Sequence, residues 1–150
     1  MKALIQRVSQ ASVSINNSLS SKIDKGLLVL LGIDVEDTEE DAEWLCQKIS
    51  NLRLFADEND LMNKSINEVD GALLLVSQFT LIASCKKGNR PSFMNAARPE
   101  QAIPLYEYCK IKLSALIRQP IACGVFGADM QVNLCNDGPV TIMLDTKNKE

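Results

Sequence analysis

The stretch GLLVLLGI, residues 26–33, is apolar at almost every position and has the length of one strand. A run of this kind, bounded by glycines, is typical of a buried strand. The following segment, DVEDTEEDAEWLCQKISNLRLF, changes to a helical period, with Thr38 as a plausible N-cap and Asp41 three residues later. Its apolar positions share one helical face: Trp44, Leu45, Ile49 and Leu52. We therefore predict a buried strand followed by a helix over residues 38–51.

The rest of the chain supplies more strands and a second helix. Further strands are predicted at residues 4–8, 11–15, 72–83, 121–126, 129–135 and 139–145. A helix is predicted over residues 99–117, with its regular part beginning near Pro104, because proline cannot donate a helical hydrogen bond. This order of elements predicts one α/β or α+β domain over residues 1–145. We expect the polar residues 146–150 to form a frayed tail.

The composition excludes several classes of protein. The chain has 150 residues, of which 46% are hydrophobic, and no apolar run approaches the roughly 18 residues of a membrane-spanning helix. The five cysteines are an odd number without a C-x-x-C pair, and histidine is absent. This argues against a disulfide framework, a zinc site and histidine-dependent catalysis. The net charge of −3 restricts any nucleic-acid contact to a local patch. The start, MKALIQRV, lacks the features of a signal peptide, so we expect a cytoplasmic protein. Since nothing in the sequence resembles a metal site, we also expect no metal or cofactor.

Polar side chains interrupt the apolar stretch VSQFTL at Ser77, Gln78 and Thr80. The hydroxyls could simply be satisfied by neighbouring backbone, or they could mark a catalytic or binding edge. A hydroxyl nucleophile needs an adjacent base, and the sequence offers no histidine and no lysine obviously within reach. A set of backbone N–H donors around an oxyanion is therefore favoured over a hydroxyl nucleophile.

Two other stretches could contact nucleic acid. KKGNRPSF places Lys86, Lys87 and Arg90 in a turn-rich loop, which is either a solvated loop or a phosphate-contacting one. GVFGADM places Phe126 between two glycines, where the ring could belong to the core or could stack on a base.

The stretch NDGPVT, residues 136–141, has two interpretations. Asp-Gly between alternating apolar runs favours a tight hairpin turn. Pro139 complicates this interpretation, because proline cannot donate to a sheet ladder, so the stretch could instead present rigid backbone to another molecule. Arg7, a charge inside the first apolar alternation, could be a surface residue or could hold another element by hydrogen bonds.

Taken together, VSQFTL, KGNRPSF, GVFGADMQVNL and NDGPVT resemble, in order and spacing, the bacterial and eukaryotic D-aminoacyl-tRNA deacylases. IQRVSQASV and KGLLVLLGI are also similar to that family, and the resemblance covers about residues 1–145. It implies a single-domain, three-layer α/β/β fold with two main helices packed on sheets. It also implies a homodimer, with active sites at the dimer interface, that hydrolyses the ester between a D-amino acid and the 3′-terminal adenosine of tRNA. Glycine mischarged on tRNA(Ala) would be a substrate too.

The resemblance also assigns roles to residues. Gly138-Pro139 would be a Gly-cis-Pro motif that reaches into the active site of the other subunit, with the cis bond setting its direction. Its supporting residues would be Arg7, Asn136, Asp137, Val140 and Thr141. The residues of the substrate pocket would be Ser77, Gln78, Phe79 and Thr80. The residues near the tRNA end would be Lys86, Lys87, Arg90, Phe126 and Met130.

The chemistry of the substrate agrees with this assignment. An aminoacyl ester is already activated, and its neighbouring ribose 2′-OH can assist, so the protein needs positioning and oxyanion donors rather than a histidine. We expect the amides near Phe79 and Thr80 to be those donors, with Thr80 Oγ1 as a nucleophile the alternative. Main-chain atoms of Gly138-Pro139 would grip the α-amino group and exclude L-residues by collision with rigid backbone.

Three rival interpretations remain at this stage. A nucleic-acid-binding module without catalysis could use the same basic loop and Phe126. A related editing deacylase with a trans Gly-Pro motif would tolerate some L-residues, although the intact SQFTL and NDGPVT argue against it. A small-molecule-binding or scaffold dimer has no positive signal in the sequence.

Overall fold

A computed structural model of the chain describes residues 1–86 and 88–149. The two helices of these residues are α1, Glu39–Asn51, and α2, Pro99–Leu116. Their strands are β1 Lys2–Ile15, β2 Ser18–Ile23, β3 Gly26–Gly32, β4 Phe55–Ala56, β5 Met62–Lys64, β6 Ala72–Ser77, β7 Ile121–Cys123 and β8 Gln131–Asp145. In this part of the chain, neither helix has the length and hydropathy needed to cross a bilayer.

The predicted buried strand, β3, lies at the centre of the main sheet. It pairs antiparallel with the first half of β1 and parallel with β6, which in turn pairs parallel with β7. Alternate side chains of β3 enter two different cores: Leu27 and Leu31 belong to the larger one, and Leu28 to the smaller one. Burial on both faces explains why nearly every position of this strand is apolar.

The two cores define three layers. The larger core joins β3 and β6 to both helices, with Leu45 and Leu113 among its fully buried side chains. The smaller core joins Val13 of β1 and Ile23 of β2 to Leu74 of β6, although neither β1 nor β2 is hydrogen-bonded to β6. The second half of β1 and β2 therefore fold back over the face of the sheet opposite the helices. The predicted α/β fold with two helices is confirmed.

Several predicted strand boundaries are wrong. The strand predicted at residues 121–126 ends at Cys123, and those predicted at residues 129–135 and 139–145 are one strand, β8. The strands predicted at residues 4–8 and 11–15 are one strand, β1, which changes partner from β3 to β2 along its length. The strand predicted over residues 72–83 ends at Ser77 and continues as a 3₁₀ turn, Phe79–Ile82. Gly32 makes this turn possible, because a Cβ atom there would lie 2.9 Å from Leu81 Cβ and 3.0 Å from the Gln78 carbonyl oxygen.

The second helix begins at Pro99, as predicted, and it is regular from there rather than from near Pro104. Pro99 occupies the first turn of α2, where its missing N–H has no partner to lose, and Pro104 lies inside the helix. Both prolines are exposed, so the carbonyl that Pro104 leaves without a helical donor is near water. The expectation that the regular helix begins near Pro104 was therefore wrong.

The expected fraying of the tail is also wrong for residues 146–149. Thr146 is buried, and its amide donates to the carbonyl oxygen of Met1 at 2.9 Å. Lys147 Nζ lies 2.9 Å from Asp41 Oδ2 at the start of α1. Lys149 Nζ lies 4.9 Å from the centre of the Trp44 ring. These contacts fix the tail against the first helix.

Candidate active site

A cavity of about 310 Å³ opens where β3 and β6 end. Phe79, from the 3₁₀ turn, lies at this cavity, and Phe126 and Met130 line it from the segment between β7 and β8. The structure thus brings together residues that the sequence analysis had singled out in two separate stretches. Among the predicted site residues in the described part of the chain, those lining the cavity are Ser77, Gln78, Phe79, Phe126 and Met130.

The SQFT stretch passes from strand to turn at the cavity. Ser77 is the last residue of β6 and pairs with Leu31, and the Gln78 amide donates to the Leu31 carbonyl oxygen at 2.7 Å. The next two amides, of Phe79 and Thr80, begin the 3₁₀ turn, and the first amides of such a turn have no acceptor within it. Within residues 1–86 and 88–149 neither amide donates to any acceptor. Two adjacent N–H groups are therefore available at this site.

The hydroxyl of Thr80 is in a poor setting for a nucleophile. Its hydrogen-bond partner in the described part of the chain is Gln78 Nε2, which is a donor. A donor cannot accept the proton that a nucleophilic hydroxyl must lose. Thr80 is also not among the residues that line the cavity.

One wall of the cavity is held from behind by a tyrosine. The rings of Phe126 and Tyr106 pack edge to face, with centroids 5.7 Å apart. The buried hydroxyl of Tyr106, on α2, donates to the Leu75 carbonyl oxygen at 3.1 Å. Burial is the main cause that raises the pKa of Tyr106 above its usual value, so the phenol stays neutral. This role was not predictable from the sequence, because Tyr106 has the helical spacing of an ordinary core residue.

Gly124 lets Met130 approach the backbone beside the cavity. A Cβ atom at position 124 would lie 2.6 Å from Met130 Sδ and 3.7 Å from Val76 Cγ1. This is a close approach that only glycine permits without moving the methionine. The GVFGADM motif pointed to this region but gave no sign of which glycine matters.

The NDGPVT stretch is a bulge in β8. Gln6 of β1 is paired with Thr141 and Val8 with Asn136, so two steps along β1 correspond to five along β8. The hairpin interpretation is wrong, because both halves of β8 continue along the same strand, β1. The extra residues include Gly138 and Pro139, which are exposed and joined by a cis peptide bond. Neither residue lines the cavity of its own chain.

Side chains on both sides hold this bulge. Arg7 Nε donates to the Asp137 carbonyl oxygen at 3.1 Å, and Arg7 Nη1 donates to the Leu54 carbonyl oxygen at 2.6 Å. Asn136 Oδ1 accepts from the Val140 amide at 3.2 Å. Gly138 has a φ of 128°, and a Cβ atom there would lie 3.0 Å from Arg7 Nη2. Asn136 Nδ2 also donates to Thr141 Oγ1 at 3.3 Å, which closes the base of the bulge.

The basic loop lies directly after the 3₁₀ turn. Ser84 and Ser92 close it through two backbone hydrogen bonds of 2.8 and 2.9 Å. Lys86 and Arg90 are exposed on this loop, and the predicted contact residue Lys87 lies outside the described residues. No three His, Cys, Asp or Glu side chains of residues 1–86 and 88–149 are grouped so as to hold a metal ion.

Two unpartnered amides beside a cavity with an aromatic wall form a site suited to a carbonyl group whose oxygen becomes negative during reaction. Residues 4–145 match the family model of D-Tyr-tRNA(Tyr) deacylase. The chain therefore belongs to the D-Tyr-tRNA(Tyr) deacylase family, and the prediction that it is an enzyme of the deacylase class is confirmed.

Individual relatives agree with this membership. D-aminoacyl-tRNA deacylases of Cytophaga hutchinsonii and of Bacteroides fragilis strain YCH46 are 59% and 58% identical to the chain, and each alignment covers all of both proteins. A solved structure described as a c-Myc DNA unwinding element binding protein is 45% identical, with a TM-score of 0.92, over 97% of this chain and 98% of that one. A probable eukaryotic D-amino acid tRNA deacylase shares the fold, with a TM-score of 0.79 at 16% identity over 95% of this chain and 97% of the other.

Proposed function

We propose that this protein is a homodimeric D-aminoacyl-tRNA deacylase that hydrolyses the ester joining a D-amino acid to the 3′-terminal adenosine of tRNA. The observation that carries the proposal is the pair of unpartnered amides, Phe79 and Thr80, beside the cavity. Membership of the deacylase family supplies the class of substrate. The enzyme would act in the cytoplasm, where charged tRNA is used.

The two amides stabilise the oxyanion that forms when water attacks the ester carbonyl. Removing one such donor typically lowers the rate by about 10²–10³-fold, so a pair can supply much of the catalysis. The ribose 2′-OH of the substrate lies next to the ester and assists the attacking water. Phe126 and Met130 line the cavity that would take the terminal adenine, and Lys86 and Arg90 would contact the tRNA phosphates.

Chirality is controlled by backbone from the other subunit. Gly138 and Pro139 are exposed and absent from the lining of their own cavity, and Arg7 and Asn136 hold them in place. We propose that each bulge enters the cavity of the partner subunit and binds the α-amino group there. An L-side chain would then collide with fixed backbone, whereas a D-side chain points to solvent.

This arrangement also sets the range of substrates. Glycine has no side chain to exclude, so glycyl-tRNA(Ala) is hydrolysed as well. Since the D-side chain makes few contacts, rates across a series of D-aminoacyl-tRNAs should agree within about a hundredfold, or roughly 2.7 kcal/mol. A wider spread would contradict exclusion as the source of specificity.

The decisive experiment is a paired deacylation assay. Purified protein is incubated with D-tyrosyl-tRNA and L-tyrosyl-tRNA at equal concentration, with and without a chelator. Rapid loss of the D-ester alone, in both conditions, supports a chiral deacylase that needs no metal. Loss of both esters would contradict the proposed control by Gly138-Pro139.

A second candidate function is nucleic-acid binding without hydrolysis. The description of one similar structure as a DNA unwinding element binding protein favours it, and the exposed Lys86 and Arg90 are compatible with it. The same assay separates the two functions, because a binding protein would leave or protect both esters.

A further inference from the structure

Two phenylalanine rings form an exposed pair at the cavity. Phe79 is 57% exposed and Phe93 is 37% exposed, and their centroids lie 5.2 Å apart at an interplanar angle of 70°. In an edge-to-face pair, the ring that contributes its edge keeps both faces free of the other ring. Phe79 also lines the cavity, so the pair extends the cavity wall onto the surface.

The pair is continuous with the basic loop. Phe93 directly follows Ser92, whose hydrogen bonds to Ser84 close the loop that carries Lys86 and Arg90. The aromatic pair therefore adjoins the cavity through Phe79 and the base of the basic loop through Phe93. Because the whole chain carries a net charge of −3, the electrostatic attraction of a polyanion depends on local groups of cations such as those in this loop.

We propose that Phe79 and Phe93 form a stacking platform for the base of the nucleotide that precedes the terminal adenosine of the tRNA. This inference rests on the proposed function, which puts the terminal adenosine in the cavity. Single-stranded nucleic acid is held by aromatic faces under the bases and cations along the phosphates, and the combination is found here. Phe93 is the residue that distinguishes this platform from the cavity, because it does not line the cavity.

The test compares two substrates that differ in the presence of the preceding nucleotide. D-tyrosyl-tRNA has this nucleotide, whereas 3′-O-D-tyrosyl-adenosine lacks it. Phe93→Leu, which keeps an apolar side chain but removes the ring, should raise KM for the tRNA roughly five- to hundredfold. It should leave KM and kcat for D-tyrosyl-adenosine within about twofold of wild type. Phe93→Tyr, which keeps the ring, should behave like wild type on both substrates.

The control variant is Ile111→Ala, since Ile111 is an exposed apolar side chain on α2 and should leave both substrates unaffected. An unchanged KM for the tRNA in Phe93→Leu overturns the platform, and so does an equal rise for both substrates. If Phe93→Leu changes the molecular mass of the wild-type assembly in sedimentation, a second copy of the chain covers the pair, and this result would also overturn the platform. If the wild-type protein hydrolyses neither D-tyrosyl-tRNA nor D-tyrosyl-adenosine, the proposed function and the platform are both wrong. If it hydrolyses both of these substrates, the proposed function holds and the Phe93 variants test the platform alone.

Discussion

Arg7 contacts both the main chain and the side chain of Asp137: Arg7 Nε lies 3.1 Å from the Asp137 carbonyl oxygen and 3.4 Å from Asp137 Oδ2. The same guanidinium donates to the Leu54 carbonyl oxygen, so it links the bulge to the start of the β4–β5 hairpin. A planar group with several fixed donors can hold two partners at once, which an ammonium does less well.

We therefore expect Arg7→Lys to loosen the bulge. Hydrolysis of D-tyrosyl-tRNA should fall by about tenfold, the effect of losing roughly 1.4 kcal/mol of hydrogen bonding, and discrimination against the L-ester should fall with it. The measurement is kcat/KM for both esters. Arg53→Lys is the matched control, because Arg53 makes an exposed hydrogen bond to Asn63 and should not affect either ester. Full activity and selectivity in Arg7→Lys would contradict the supporting role of Arg7.

The role of the Phe79 amide can be separated from that of its ring. Phe79→Pro removes the N–H at the first position of the 3₁₀ turn, where proline is accommodated, and Gln78 before it is outside the helical region, with φ −145° and ψ 79°. Phe79→Ala removes the ring and keeps the N–H. We expect kcat to fall about 10²–10³-fold in Phe79→Pro and to stay within a few-fold in Phe79→Ala, measured by single-turnover deacylation. Equal values of kcat in the two folded variants would show that the amide has no part.

The hydroxyl of Thr80 is not expected to form a covalent intermediate. Since Gln78 Nε2 donates to it, Thr80→Ala should keep kcat within about threefold of wild type. Rapid-quench analysis of the wild type should find no acyl group on the protein. A loss of several orders of magnitude in Thr80→Ala, as happens when a true nucleophile is removed, would support the opposite mechanism.

Tyr106→Phe should affect both stability and substrate binding. The substitution deletes one buried hydrogen bond, to Leu75, and should lower the free energy of unfolding by about 1 kcal/mol in urea titrations. It also frees the ring that supports Phe126, so KM should rise while kcat changes little. Tyr108→Phe is the control, because its hydroxyl donates to Glu43 nearer the surface, where water can replace the lost bond, and should change the stability less than Tyr106→Phe does. A KM unchanged in Tyr106→Phe would limit Tyr106 to a structural role.

Acid should destabilise the protein partly through Asp41. Burial alone would raise the pKa of this carboxyl. Hydrogen bonds from Lys147, Thr146 and Thr38 outweigh that effect, so the pKa lies well below its ordinary 3.8. A carboxyl with a lowered folded-state pKa contributes stability at every pH above its unfolded pKa and loses it as the pH falls below that value. The contribution should be about 1 kcal/mol, because Lys147 is half exposed.

The corresponding measurement is the free energy of unfolding between about pH 5 and pH 2. Asp41→Asn should show a shallower loss than wild type over this range, because it has no carboxyl to protonate. Glu40→Gln, an exposed neighbour in the same helical turn, should keep the wild-type slope. Parallel curves for Asp41→Asn and wild type would exclude this contribution.

The sequence was most informative where local pattern and tertiary environment agree. The apolar run of β3 and the N-cap at Thr38 predicted their elements correctly. The strand end at Ser77 was not predictable, because it depends on the close approach of the 3₁₀ turn to Gly32 of another strand. The bulge at Gly138 was taken for a hairpin on pattern alone, since the local turn residues are the same and only the shared partner β1 distinguishes the two. Tyr106 could not be singled out, because its hydroxyl partner Leu75 is distant in sequence.

The pairing of β1 with β8 has a consequence for how the chain reaches its native state. Gln6 and Thr141 are in register although they lie 135 residues apart, so this part of the sheet closes a very long loop of chain. To form contacts of this kind, the chain must lose entropy before the contacts stabilise it. Proteins rich in such contacts fold in milliseconds to seconds rather than microseconds. While a ribosome is still making β8, one of the two edges of β1 is unpaired, and the Gly138-Pro139 bulge can form only after that strand has been made.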